Sequence, residues 1–304
     1  MAILGFDSTQ MSEAAIRGTL KKVFRHKLET DDKVWKQCGF EEDETDKPFE
    51  EYSTVTGIGL APRKEEFAQI AIDVPRQNYT KRVNVYQYAI MMPISEEAKR
   101  FRKYKEMFDG SEMVAESLNF TVEYLCADIF GNAFSTSYLG VDAKPLVSST
   151  HKLGKGGTAS NYIGAVSLSQ SGLETALIQA RKMPNDVGIP IGIPKGKMLI
   201  VCNEDETFNA ARILKSTLQS DTANNTINVL KDVGFEVAPN RYLPSTSNWF
   251  LRHQKVKNSL MVLWEMKPDL RDHGDDKTRA MFFDGYQSLG VDFYEWRGVQ
   301  GSDF

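Results

Sequence analysis

Between Ser12 and Glu29, Ile16, Leu20, Val23, Phe24 and Leu28 recur at helical spacing, and Arg17, Lys21, Lys22, Arg25 and Lys27 occupy the other positions, which predicts an amphipathic helix with a basic polar face. The period then changes to two. "STVTGIGL" (53–60), "FAQIAID" (67–73) and "VNVYQYAIMM" (83–92) alternate apolar with polar residues, and Pro62, Pro75 and charged connectors separate them. Residues 33–94 therefore read as the strands of a long hairpin-like arm. Its apolar content is too thin for a core of its own, and an isolated ribbon of two or three strands is marginal in water. An arm that cannot stabilise itself requires a neighbour.

Helical spacing returns at Ser95, a natural N-cap followed by Glu96 and Glu97. A helix is expected over 95–132, interrupted at Asp109–Gly110, and if continuous it would be about 50 Å long. Val114, Leu118, Val122, Leu125 and Ile129 form its buried stripe, whereas "EEAKRFRKYKE" marks the first half as exposed. From residue 169 helices and strands alternate. Ser171 and Glu174 read as a capping box for a helix through Lys182, stopped by Pro184. "KMLIVC" reads as a buried strand. Asn203 and Glu206 then cap a helix to about Gln219 carrying Phe208, Ala211, Leu214 and Leu218. Strands are expected at 235–239, 249–253, 260–266, 280–286 and 291–297, the last three antiparallel and joined by turns. The fold class is α+β.

Composition adds bounds. The 304 residues, 41% of them apolar, suffice for one large or two modest cored domains. Apolar runs such as "MLIVC" are far shorter than the roughly 20 residues of a membrane span, and "MAILGFDSTQ" lacks the pattern of a secretion signal, so a protein made in the cytoplasm is expected. Cys38, Cys126 and Cys202 are scattered and unpaired, which suits small buried hydrophobes better than a disulfide framework or a zinc site. A net charge of −4 argues against coating nucleic acid. Charge is uneven, since seven of the eleven residues of "EEDETDKPFEE" (41–51) are acidic.

Candidate chemistry centres on "LVSSTHKLGKGGTASN" (146–161). A phosphate-binding loop needs its glycine before the lysine and a helix after it. Here Lys155 precedes Gly156 and Gly157, and "TASNYIGAVSLS" opens no helix. His151 has no nucleophile or metal-ligand set around it in sequence, and a lone loop histidine is more often a hydrogen-bonding residue. "RDHGDD" (271–276) misses the spacing of a calcium loop. No catalytic constellation emerges, so neither an enzyme nor a metal or cofactor is expected.

The order of several segments carries more. "VTGIGLAPRKEEFAQIAIDVPRQNYTKRVNVYQYAIMMPISEE", "PLVSSTHKLGKGGTASN", "NDVGIPIGIPKGKMLIVCNEDETFNAARILKST", "GFEVAPNRYLPSTSNWFL" and "GVDFYEWRGVQG" follow one another as in the major capsid proteins of tailed bacteriophages, which the chain resembles over about residues 50–300. That resemblance implies the Hong Kong 97-type shell fold. It implies an N-terminal arm (1–32), an extended loop (33–94), a peripheral domain with its spine helix (95–142 and 256–304) and an axial domain (143–255). It further implies pentamers and hexamers closing into an icosahedral virion head around double-stranded DNA, assembled in the bacterial host cytoplasm. Scaffolding, portal and decoration proteins are the implied partners, the scaffold being a separate protein because only about 30 residues precede the loop. An encapsulin-like compartment shares the fold and is the alternative; a small α/β enzyme is the more distant one. Subunit contacts are expected from Arg63, Lys64, Glu65 and Glu66 of the extended loop, and from Arg271, Asp272, Asp275, Asp276 and Lys277 near three-fold axes. The basic face of Arg17, Lys21, Lys22 and Arg25 is expected to meet a neighbour or a scaffold. Lys64 is available for a covalent crosslink of the kind some members make, but no matching asparagine and glutamate can be placed.

Overall fold

The computed structural model describes residues 13–192, 198–218, 227–254, 256–257, 259–274 and 280–304. In chain order its elements are α1 (Glu13–Thr30), α2 (Val34–Gln37), β1 (Glu41–Glu44), β2 (Phe49–Val55), β3 (Gln77–Asn84), β4 (Tyr86–Ile94), α3 (Glu96–Arg100) and α4 (Tyr104–Gly131). The short β5 (His151–Lys152) and β6 (Thr158–Ala159) follow, then α5 (Gln170–Arg181), β7 (Met198–Cys202), α6 (Thr207–Lys215), β8 (Phe235–Pro239), β9 (Trp249–His253), β10 (Leu260–Gly274), β11 (Met281–Phe293) and β12 (Val299–Ser302). No described helix is long and apolar enough to cross a membrane. The chain divides into two compact units.

The first unit joins the N-terminal segment to Lys33 with Val85–Val122 and Trp264–Leu289. Ile16, Leu20 and Phe24 on the apolar face of α1 are buried in one cluster with Tyr104, Met107, Phe108, Val114 and Leu118 of α4 and with Leu270, Met281 and Phe283 of the sheet. The predicted α1 stripe is therefore a core face. Its polar side is tied down too, Arg17 and Lys21 reaching Asp272 of β10 at 2.9 and 3.5 Å. β4 runs antiparallel to β11, from Met281 opposite Ile94 to Leu289 opposite Tyr86, and β10 lies on the other side of β11. Thus β4, expected as part of the arm, is a sheet strand.

The second unit holds Val34–Asn84, Glu123–Leu263 and Gly290–Phe304. Its main sheet has the order β12-β9-β7-β8, with β7 parallel to β8 and antiparallel to β9. Every residue of β7 and β9 is buried, as expected of central strands. Leu173, Ala176, Leu177 and Ala180 of α5 pack against Met198, Ile200, Trp249 and Leu251.

Several expectations are corrected. The predicted strands at 53–60 and 67–73 are not strands beyond Val55, since among the described residues no ladder partner exists for residues 56–76. The long helix breaks at Phe101–Lys103, where Arg102 has φ 57°, and continues through Asp109–Gly110. Ser169 caps α5, accepting the Gly172 N–H, in place of Ser171. α6 stops at Lys215 and buries Ala210, leaving Phe208 and Leu218 exposed. Residues 280–286 and 291–297 are not two strands, because β11 runs unbroken to Phe293 and a 3-10 turn over Trp296–Gly298 follows. All three cysteines are buried and free, and burial pushes the Cys38 and Cys202 thiols up to about 12, which makes them inert hydrophobes.

Candidate functional site

The arm is fixed at its base and open at its tip. β2 and β3 pair antiparallel from Phe49 opposite Asn84 to Ser53 opposite Thr80, with an irregularity between Ser53 and Val55. Arg82 pairs with Glu51 at 2.7 Å and lies over the Phe49 ring at 4.0 Å. Lys81 reaches Asp292 at 2.5 Å and the Phe293 ring at 4.1 Å, and Tyr52 meets Tyr294 at 5.6 Å. Above the ladder, Thr56 and Arg76 bridge the two limbs, the Thr56 N–H donating to the Arg76 carbonyl at 2.9 Å and the Arg76 N–H to the Thr56 hydroxyl at 3.0 Å.

Beyond that point the apolar side chains are exposed. Ile58, Ile70 and Val74 are exposed, Leu60 and Ile72 are 81% and 80% accessible, and Phe67 is 97% accessible. Scattered exposed apolar residues are ordinary, but six on one loop of nineteen residues (58–76) are a local concentration of the kind found at interaction sites. Arg63, Lys64, Glu65 and Glu66 sit at the apex and are exposed; the Arg63–Glu65 distance is 3.7 Å within the loop itself.

The other expected contact residues fall elsewhere. Asp272 is held by α1 of its own chain, and Arg271 lies against Met266 and over the Tyr286 ring. Residues 268–274, expected in a turn, belong to β10. Asp275, Asp276 and Lys277 lie outside the described residues. On α1, Lys22 and Arg25 are exposed.

The glycine loop is a tight reversal between β5 and β6. The Leu153 N–H donates to the Gly157 carbonyl and the Gly156 N–H to the Leu153 carbonyl, a turn that needs φ of 100° and 92° at Gly156 and Gly157. The Lys155 N–H donates to the Asp186 carbonyl and the Gly154 N–H to the Asp186 carboxylate. These amides are spent inside the chain, so no converging set is left for a phosphate.

Behind the loop lies a buried polar cluster. The His151 ring stacks on Trp296 at 3.9 Å and 2°, with Nδ1 2.8 Å from Asp142 and Nε2 3.0 Å from the Asn161 Oδ1. Burial raises the Asp142 carboxyl, but the hydrogen bond and charge of His151 and the backbone N–H groups around it together outweigh this and leave it below its usual value. Asn161 donates to the carbonyls of Leu146, Trp296 and Val299, and its oxygen also accepts the Ser148 N–H at 2.8 Å. With every group engaged, the cluster ties the glycine loop to the C-terminal turn and offers no reactive atom. Asn161→Ala is expected to cost about 3 kcal/mol, because each buried group left unpaired costs roughly 1–3 kcal/mol; denaturant unfolding of the unassembled chain measures it.

Sequence reasoning missed two polar anchors. Asn161 had no signal beyond its place in a polar loop. Glu123 sits inside the apolar stripe of α4 and is fully buried, its two carboxylate oxygens accepting the N–H groups of Val34 and Trp35 at 2.8 and 3.0 Å. It thereby caps α2 at the point where the chain enters the arm.

The phage capsid protein family matches residues 78–301. No curated protein matches the chain. Among solved structures, the capsid of cyanophage P-SCSP1u superposes with a TM-score of 0.57 at 11% identity, covering 86% of this chain and 85% of that one. A virus-like particle from Pyrococcus furiosus gives 0.56 at 9% identity over 94% and 98%. The SrpI encapsulin of Synechococcus elongatus gives 0.52 at 9% over 90% and 88%. At such identities the likeness is one of fold, the Hong Kong 97-type shell fold. With the sequence match covering most of its length, the chain belongs to the phage capsid protein family.

Proposed function

We propose that this chain is a major capsid protein that self-assembles into pentamers and hexamers and closes an icosahedral head around double-stranded DNA. The observation that carries the reading is the loop at 56–76, whose apolar side chains find no cover among the described residues of their own chain and gain it by lying across a second copy. In this reading residues 33–94 are the extended loop, 95–142 and 256–304 the peripheral domain, 143–255 the axial domain and 1–32 an N-terminal arm. An acidic chain suits a container whose wall must not grip DNA. Scaffolding, portal and decoration proteins complete the head, which is built in the host cytoplasm.

Size-exclusion chromatography with negative-stain imaging tests this. Capsomers or megadalton shells are expected, and a compact monomer at high concentration sinks the proposal. The likeness to an encapsulin favours a second reading, a compartment for protein cargo. Nuclease-protected DNA inside purified particles supports the head; a protein cargo without DNA supports the compartment.

With Arg17 and Lys21 engaged by Asp272, the exposed part of the basic face is Lys22 and Arg25. Lys22→Glu with Arg25→Glu is expected to lower particle yield severalfold at an unchanged melting temperature, since exposed substitutions cost about 0.5 kcal/mol or less. Equal yield removes α1 from the assembly contacts.

A further inference from the structure

Lys155, at the tip of the glycine loop, has a partner far away in sequence. Its Nζ lies 3.0 and 2.8 Å from the two carboxylate oxygens of Asp73, on the descending limb of the arm's loop. One of those oxygens also accepts the N–H of Gly59, on the ascending limb, at 2.8 Å. A single carboxylate therefore joins both limbs of the loop to each other and to the glycine loop. The lysine is presented from a firm base: Asp186, which receives the Lys155 and Gly154 N–H groups, is itself gripped by Arg297 at 2.7 Å. The arm also meets this turn lower down, where a Cβ on Gly154 would stand 2.7 Å from the Asn78 amide nitrogen and 2.8 Å from the Thr56 methyl. Between these contacts an open cleft of about 660 Å³ is bordered by Asp73, Arg76 and Lys155, so the ion pair spans space that packing does not fill.

We propose that Lys155 and Asp73 form a clasp that holds the tip of the arm against the glycine loop of the same chain, giving the arm a clasped and a released form. The two side chains are 36% and 39% accessible, so solvent and salt screen the pair and it opens at small cost. While closed, it keeps the two limbs together and fixes where Ile58, Leu60, Ile70 and Ile72 point. Its role in assembly rests on reading the arm as an inter-subunit element; its existence does not.

Brief trypsin digestion of the unassembled full-length chain at low salt tests the clasp, with cutting after Arg63 and Lys64 read by mass. Asp73→Asn and Lys155→Gln are each expected to speed cutting about two- to fivefold, the range for an exposed pair. The double variant should be no faster than either single one, because both remove the same contact. Lys155→Arg should keep the original rate, and 0.5 M salt should bring the original chain up to the rate of the variants without changing theirs. Unchanged rates in the single variants, or additive effects in the double one, overturn the clasp. Because the readout needs no particles, a chain that shows the clasp and never forms shells refutes the capsid function alone.

Discussion

Glu123→Ala is expected to destabilise the folded chain by about 3–4 kcal/mol, the largest single-site loss among these variants, since it strands two buried N–H donors at a cost of roughly 1–3 kcal/mol each. Lost with them is the cap that fixes α2, and so the direction in which Phe40 and the arm leave the core. Glu123 also makes stability depend on pH. Burial, opposed by the Trp35 and Val34 N–H bonds and by the charge of Arg241, lifts its carboxyl from 4.5 to about 7. The folded chain therefore holds this proton more tightly than the unfolded one between those values. The resulting stabilisation is fully present below 4.5 and is lost as pH rises through 7, an effect of up to about 3 kcal/mol at 1.4 kcal/mol per unit. Arg241 stays charged and the thiols of Cys38 and Cys126 beside it stay neutral across this window. Glu123→Gln offers one acceptor oxygen, as the protonated acid does, and is expected to flatten the slope. Denaturant midpoints of unassembled chain at pH 5 and pH 7.5 measure both effects; a variant slope equal to the original assigns the pH dependence to another group.

What could be read from the sequence was whatever a local segment decides for itself. The strand at Met198–Cys202 is apolar throughout and central in its sheet, and the Val114–Ile129 stripe needs only the 3.6-residue period. Failures occurred where the partner is remote or absent. Alternation at 53–60 and 67–73 signals one buried face, but no strand among the described residues supplies it beyond Val55, so the pattern is present without a ladder. The helix break fell at Phe101–Lys103 because Asp109–Gly110 lies in a packed stretch beside Phe108 and Ser111, where burial and the Ser111 bond to the Leu20 carbonyl override the low helix propensity of glycine. Asp272 read as an exposed contact residue; its partners, Arg17 and Lys21, stand some 250 residues earlier, a separation no local pattern encodes. Of the candidate site, the alternating apolar positions of the arm and the glycine turn were legible. That Asp73 joins the two was not, since one aspartate in a polar stretch carries no signal until the fold brings it to Lys155.

Serine at Ile58, Leu60, Phe67, Ile70 and Ile72 together is expected to abolish particle formation while leaving the melting temperature of the subunit unchanged. These side chains contribute nothing to their own chain's core, so removing them costs the monomer little. Against a second copy, each full burial is worth about 1.5–3 kcal/mol. Replacing only Leu60 and Ile72, the two most exposed aliphatics of the loop, removes about 3 kcal/mol per contact, which raises the concentration at which particles appear roughly a hundredfold. In a closed shell the same contact recurs around every capsomer, so the loss compounds, and the five-residue variant should remain unassembled at any accessible concentration. Light scattering across a dilution series, with calorimetry of the unassembled chain beside it, separates the two effects. Particles at the original threshold would mean that the arm's apolar tip is a passive surface loop; a lowered melting temperature would mean that the tip folds onto its own body and serves the monomer. A threshold shift at constant stability is the signature of side chains kept for a neighbour.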